Sequence, residues 1–371
     1  MTPAPLLREI RVENFRSARR GTIRPGRICA FIGEPGAGRT NLLFALRALL
    51  DPGFELTTAD ITDGERAITI EATLADGRVV SLHDRGGAPP IVHFPVARRE
   101  DELIAALEQP AAGVVYAIEE PEVFLAPHAH RYLRRVFQRL ADAGNQVFFT
   151  THAPALLSVT ALEEVNLVAR DELGVTTVDR LRPIDVDDEF RVMCELDAER
   201  SELFLARAAI LVEGMTEKVT MPFVFRALGH DADRERISIV ECGGKANIPL
   251  FVEICKRARV PYVVVHDSDM RPDRDPVLSE LKLNALIRRT AGARHTVVLD
   301  PDFEAVAGYH ASRHGHKPRH AWRRLAEGGV PAPFARAVEL ALRATNGRSA
   351  SCRTSATAAS GPGAPVRTTP A

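Results

Sequence analysis

No apolar run in these 371 residues approaches the roughly 18 needed to cross a bilayer, and the opening MTPAPLLREIRVENF lacks the continuous apolar core of a secretion signal. A cytoplasmic protein with no membrane partner is expected. Cysteine is scarce as well. The five residues Cys29, Cys194, Cys242, Cys255 and Cys352 are odd in number, scattered and never in a CxxC pair, which argues against a disulfide framework or a zinc site. They read as buried small hydrophobes. An excess of one charge is missing too: 48 Lys and Arg face 49 Asp and Glu, a net charge of -1. No global positive field therefore draws the chain onto nucleic acid, and any such contact needs a local basic face. Internal repeats and sustained heptads are absent, which excludes solenoids and coiled coils.

What is present suits a folded protein of more than one unit. Hydrophobic residues make up 45% and charged residues 26%, enough for cores beneath a solvated surface. At roughly 150 residues per domain the length predicts two domains plus some unstructured chain. The opening reads strand, strand, glycine loop, helix: Leu7 to Val12 alternates, Arg27 to Ile32 is apolar, and Asn41 to Leu50 is rich in Leu and Ala. Alternation from Ile68 to Leu74, the turn Ala75-Asp76-Gly77 and Val79 to Leu82 predict a hairpin. Val114 to Ile118, a helix from about His128 to Ala143 and Gln146 to Thr150 then follow in parallel α/β order. Residues 170–205, charged and broken by Gly174 and Pro183, suit a connector. Strands at Ala209–Val212, Ile237–Val240, Tyr262–His266 and His295–Leu299 predict a second parallel sheet. From Thr345 onward the composition cannot offset its ordering entropy, and a disordered tail is expected. The expected division is 1–169, a connector over 170–205, 206–328, and a helix with tail over 329–371.

Three strand-end motifs mark the first half. Gly33 to Thr40, GEPGAGRT, fits a phosphate loop, with Gly33, Gly36, Gly38, Thr40 and Asn41 in place but Arg39 where lysine is expected. Backbone N–H groups and the helix N-terminus would hold a phosphate there. A guanidinium is bulkier and forked where a compact ammonium serves best, so binding survives better than hydrolysis. Val114 to Ile118 runs into Glu119 and Glu120, placing both acids at a strand edge where Glu119 would hold Mg²⁺ and Glu120 act on water. Thr150-Thr151-His152-Ala153-Pro154 ends a third strand, and His152 is placed to sense a γ-phosphate.

Asn14-Phe15-Arg16, the phosphate loop followed by Asn41, IEEPE at 118–122 and TTHAP at 150–154 resemble the ABC-type ATPases of the SMC/RecF-like group, in particular the ATPase half of OLD-family (overcoming lysogenization defect) nucleases. The resemblance implies an ABC-type P-loop domain that binds ATP. It departs in the middle: residues 51 to 100 contain no glutamine for a glutamine loop, and Ala97 to Glu102 stands where a Ser-Gly signature is expected. Together with Arg39, this predicts weak or absent ATP turnover in a shortened, degenerate domain with a regulatory role.

The second half carries an acidic constellation. Ala209 to Val212 runs into Glu213-Gly214-Met215-Thr216-Glu217, where the glycine permits close backbone approach and the two acids lie about one helical turn apart. Val263 to His266 feeds Asp267-Ser268-Asp269, whose alternation lets two acids flank a metal. These motifs resemble the Toprim domain shared by topoisomerases, bacterial-type primases and OLD nucleases. That resemblance implies a Rossmann-like parallel sheet and Mg²⁺ or Mn²⁺, in a two-ion arrangement, acting on a DNA phosphodiester. Glu213 is then the lead ligand and acid/base, Asp267 and Asp269 bind metal, and Glu217 extends the cluster. Hard oxygen donors without clustered thiols favour those ions over zinc. By the same resemblance Asp302 and Glu304 contribute to the second ion, and Lys317 offsets charge on the scissile phosphate. Lys245, in Gly243-Gly244-Lys245, either holds a phosphate or caps the next helix. His310, His314, His316 and His320 fit no zinc spacing and read as a loop against DNA.

Basic residues able to reach a DNA backbone fall into groups: Lys256, Arg257 and Arg259; then Arg271, Arg274, Arg288 and Arg289; then Arg313, Lys317, Arg319, Arg323 and Arg324. The expected function is a metal-dependent DNA endonuclease or nickase of the OLD type, in a repair or phage-defence setting, as a homodimer or with a second protein. The competing reading is a non-catalytic nucleotide-binding DNA scaffold. A topoisomerase is disfavoured by the four tyrosines and the lack of room for a cleavage domain, and a primase by the missing zinc ribbon.

Overall fold

The structure, a computed structural model, describes residues 5–94, 100–108, 111–123, 125–157, 162–171, 173–182, 197–271, 275, 277–309 and 317–351. The chain opens with β1 (Leu7–Phe15), β2 (Ala18–Ile23) and β3 (Ile28–Ile32), then α1 (Arg39–Leu50). β4 (Thr69–Leu74), β5 (Val79–Ser81) and β6 (Ile91–Phe94) follow, with α2 (Glu100–Glu108), β7 (Val115–Ile118), α3 (Pro127–Asp142), β8 (Gln146–Thr150), β9 (Val165–Arg170) and β10 (Thr176–Arg180). The second half runs β11 (Ala208–Val212), α4 (Met215–Ala227), β12 (Ile237–Glu241), α5 (Ile248–Arg257), β13 (Tyr262–Asp267), α6 (Leu278–Ala291) and β14 (Thr296–Leu299). It closes with α7 (Phe303–Ala307), α8 (Lys317–Gly328) and α9 (Ala332–Ser351).

These strands form three sheets: antiparallel β2-β1-β4-β5, mostly parallel β10-β9-β3-β8-β7-β6, and parallel β12-β11-β13-β14. The second and third are the two α/β halves the sequence predicts. Their central strands are buried throughout, as strands covered on both faces must be. Successive residues point to opposite faces. In the second sheet Phe31, Ala117 and Phe148 meet the α1 side, whereas Ile32, Ile118 and Phe149 meet the α3 side. The α3-side core continues through Leu156, Leu203 and Phe204 to Leu211, Phe251 and Val264 of the third sheet, so the two parallel sheets share one apolar layer. Ile210, Val212 and Val265 face the opposite way, toward α4 and α9.

Two expectations need correction. Residues 176–180, read as connector, are an edge strand pairing antiparallel with β9. Gly174 is the turn between them, with a positive φ of 74°, and the Asp171 carboxylate accepts from the amides of Leu173 and Val175. Pro183 and the stretch to residue 196 lie outside the described residues. At the other end α9 runs past Thr345 to Ser351. Phe334, Ala337, Val338 and Ala341 anchor it, and a formed helix propagates more easily than it nucleates. The rest of the expected tail lies outside the described residues. Cys29, Cys242 and Cys255 are buried, while Cys194 and Cys352 are not described. Among the described residues no helix is long and apolar enough to cross a membrane.

Candidate active sites

Because β3, β8 and β7 are neighbours, the loop after β3 and the segments after β8 and β7 open at one edge of the second sheet. The loop needs its glycines: a Cβ on Gly33 would stand 2.0 Å from the Val168 carbonyl oxygen. Gly38, at φ 104°, caps α1 where a Cβ would meet Thr176 Oγ1 at 2.2 Å. Thr176, from the edge strand the sequence hid, donates to the Ala37 carbonyl at 2.9 Å and lies 2.8 Å from Ser17 Oγ. Asn41 Nδ2 donates to the same Ser17 at 2.7 Å, and Arg16 Nη1 reaches Asn41 Oδ1 at 3.4 Å. Thr40 follows as the second residue of α1, half-buried.

Arg39 decides the character of this edge. Its side chain is only 8% exposed, and the guanidinium crosses to the ends of the two neighbouring strands. Nη1 donates to the Thr151 carbonyl at 3.0 Å, Nη2 meets His152 Nε2, and Glu120 Oε1 lies 3.9 Å from Nη2 and 3.6 Å from His152 Nε2. Burial, and then the guanidinium, pull the His152 pKa below its ordinary value. A neutral ring with Nε2 free to accept is the form this contact needs. Glu122 Oε1 accepts from the His152 amide at 2.5 Å, and Glu120, at φ 41°, is pinned by its amide to Thr150 Oγ1 at 3.0 Å. The Glu119 amide bonds back to Phe94 O at 3.1 Å. All three motifs thus converge, and the Arg39 fork lies among them, bonded to Thr151 and His152 and 3.9 Å from Glu120. Ala97 to Arg99 lie outside the described residues, and Glu100 opens α2.

The second site sits at the carboxyl edge of β11, β13 and β14. Glu213 directly follows β11, and its Oε2 accepts from the Asp267 amide at 3.4 Å, so the two strand tips face each other. Gly214 lets the chain turn directly into α4, where its amide donates to Glu217 Oε2 at 3.1 Å. Burial, with Glu213, Glu217, Asp269 and Asp302 around it, pushes the Asp267 carboxyl up to about 8. Burial drives Glu217 to about 7, with Glu213 and Glu304 adding, and it also raises Glu213. The Asp267 Oδ1 atom is buried and has no hydrogen-bond partner among the described residues.

The other acids each turn to a cation. Asp269, in the left-handed region at φ 56°, is held by its amide on Pro301 O at 2.8 Å and by Lys245 Nζ on Oδ2 at 2.7 Å. Asp302 caps α7 through Ala305 N at 2.9 Å and takes Arg271 Nη2 at 2.9 Å. Glu304 pairs with Lys317 Nζ at 2.5 Å, which raises the lysine pKa. Among the described residues no three of the acids or imidazoles stand close enough to form a ready ligand set. The donors nonetheless suit a hard divalent cation: every candidate ligand is a carboxylate oxygen, and one buried oxygen lacks any partner.

One residue singled out by its motif is held in ion pairs. Lys245 is 5% exposed, and its ammonium is shared between Asp269 and Glu280, the latter at 3.3 Å. Glu280 belongs to α6 and to no motif, and nothing in the sequence pointed to it. Lys256, Arg257 and Arg259 bond to Thr290 O, Glu253 and Asp179, at the end of α5 away from the acidic edge. Arg274, His310, Arg313, His314 and His316 lie outside the described residues, and His320 stacks on Tyr309.

Residues 204–269 match the family described as overcoming lysogenization defect protein-like, TOPRIM domain, and residues 102–158 match an AAA domain described as putative AbiEii toxin, Type IV TA system. An OLD nuclease of Thermus scotoductus is 35% identical over 210 residues, 52% of this chain and 40% of the relative. The Old nuclease of Escherichia phage P2 is 23% identical over 168 residues, 44% of this chain and 29% of that protein. The solved C-terminal region of the Burkholderia pseudomallei OLD protein is 18% identical with a TM-score of 0.30, covering 38% of this chain and 99% of that one. The chain therefore spans less than half the length of the curated relatives it matches. Residues 204–269 are thus similar to an OLD-like Toprim domain, and residues 102–158 to an AAA domain that lies ahead of it in the chain.

Proposed function

We propose that the chain cleaves DNA phosphodiester bonds at the acidic edge of the third sheet, as an endonuclease or nickase that depends on Mg²⁺ or Mn²⁺. The observation that carries this reading is the Glu213–Asp267 pair: two half-buried acids from adjacent strand tips, both raised above their ordinary pKa and Asp267 to about 8, with Asp267 Oδ1 buried and lacking a partner among the described residues. Such a cluster is costly unless a cation arrives. Glu213, Glu217 and Asp267 would form the primary ligand set. Asp269, Asp302 and Glu304 would join it as their basic partners yield. A bound divalent ion would supply an activated water and neutralise charge on the phosphate. Glu213 is the carboxylate suited to exchange a proton at that water, and Lys317 Nζ and Arg271 Nη2 stand where a phosphate oxygen would compete for them.

At the first site the backbone loop supports nucleotide binding in a regulatory role, while Arg39, bound to Thr151, His152 and Glu120, supports weak or absent turnover. A second copy, or a second protein in a repair or phage-defence setting, fits the resemblance. Nicking of supercoiled plasmid with Mn²⁺ tests the reading: wild type should nick and Glu213→Ala should not. Equal nicking by both, or none by wild type, favours a non-catalytic scaffold.

A further inference from the structure

We propose that the exposed face shared by α4 and α8 is a stacking shelf for an unpaired stretch of DNA leading into the acidic edge; the proposal rests on reading that edge as a DNA-cleaving site. The chain has a single tryptophan, Trp322, and it stands 45% exposed on α8. Its ring is 6.1 Å from that of Phe223 on α4, at 57°. The Arg226 guanidinium covers the Phe223 ring at 4.7 Å, and Met215 and Val219 continue the exposed apolar stripe along the same face of α4. Arg319 and Arg323 flank the tryptophan, are exposed, and make no ion pair among the described residues. The residues that α8 buries fully are Ala321 and Leu325, which leaves Trp322 partly open to solvent.

The placement ties the shelf to the chemistry. Both helices start at the acidic edge: Met215 follows Gly214, and Lys317 is the residue paired with Glu304. At about 1.5 Å per residue, Phe223 lies roughly 12 Å along α4 and Trp322 roughly 8 Å along α8. With stacked bases about 3.4 Å apart, that is a span of two to four nucleotides. Aromatic rings that stack any base, beside arginines that take phosphates, are the elements of sequence-tolerant single-strand binding. A duplex buries its base faces and offers the rings nothing. A protein partner would need acids for Arg226, Arg319 and Arg323, whereas a phosphate backbone supplies that charge at every step.

Because Trp322 is the only tryptophan, its emission reports this shelf alone. The full chain, in chelator so that no cleavage occurs, is titrated with a single-stranded oligodeoxynucleotide and with the matching duplex. The single strand should quench the emission saturably and reversibly with salt, and the duplex should bind about tenfold more weakly. With dye-labelled single strand followed by anisotropy, Trp322→Ala should weaken binding about tenfold and Trp322→Phe less, and Arg319→Ala with Arg323→Ala should weaken it further. Binding of labelled DNA without quenching, or unchanged affinity in Trp322→Ala, overturns the shelf. So does an emission change that depends on protein concentration without DNA, which would assign the face to a second copy. Quenching that persists in a protein unable to nick plasmid with Mn²⁺ supports the shelf and counts only against cleavage.

Discussion

The two acidic edges of this molecule are built alike and finished differently. In each, neighbouring parallel strands end in carboxylates beside a glycine turn and a helix start. At the first edge an arginine from the phosphate loop already lies among the acids, bonded to Thr151, His152 and Glu120. At the second, no cation among the described residues pairs with the innermost acids. Asp267 and Glu217 are pushed to about 8 and about 7, while Lys245, Arg271 and Lys317 hold only the outer acids. The difference teaches that a strand-end acid cluster can be satisfied from within, as a structural junction, or left short of charge, as a place for an ion.

The largest expected effect breaks the second edge. Asp267→Asn removes a central ligand, and Mn²⁺-dependent plasmid nicking should fall by about 100-fold or more, beyond the loss seen for groups that only orient ligands. Next, Arg39→Ala leaves the buried Thr151 carbonyl and the acids without their donor and should cost about 1–3 kcal/mol by denaturant unfolding. If Arg39→Ala is as stable as wild type, the first edge is not internally satisfied.

The pH dependence sharpens the contrast further. Folded-state values for Asp267 and Glu217 lie above the ordinary 3.8 and 4.5. Their contribution is therefore fully present below about pH 4 and lost as pH rises through about 7 to 8. In chelator the melting temperature should drop by several degrees across that window from these groups, and Asp267→Asn should flatten the drop. The smallest effect concerns the link between the halves. Arg207 pairs with Glu34 of the phosphate loop through two nitrogens, at 3.0 and 3.3 Å, but both side chains are nearly half exposed. A double-mutant cycle should give under about 1 kcal/mol.

Much of this was legible because strand-end motifs are local. An apolar run into GEPGAGRT, IEEPE, EGMTE or DSD fixes a strand, its carboxyl edge and the residues there, and parallel order brings the edges together. What was hidden depends on contacts distant in sequence. Thr176 supports the phosphate loop from a strand whose residues look like linker, because an edge strand needs little apolar character. The fate of Arg39 was half visible: the sequence showed the wrong cation, not that its fork would reach Thr151 and His152. Lys245 drew attention through its glycines, but its partners Asp269 and Glu280 come from β13's end and from α6, and Glu280 looks like any exposed helical acid. Asp302 and Glu304 were found only through the resemblance, and the structure adds that one caps a helix and both are paired.

Calorimetric titration of the nucleotide-free protein with Mn²⁺ tests the central claim most directly. Binding should be abolished by Asp267→Asn and unchanged by Glu120→Gln. Mn²⁺ binding that survives Asp267→Asn, or disappears with Glu120→Gln, would contradict the assignment of the ion to the second edge.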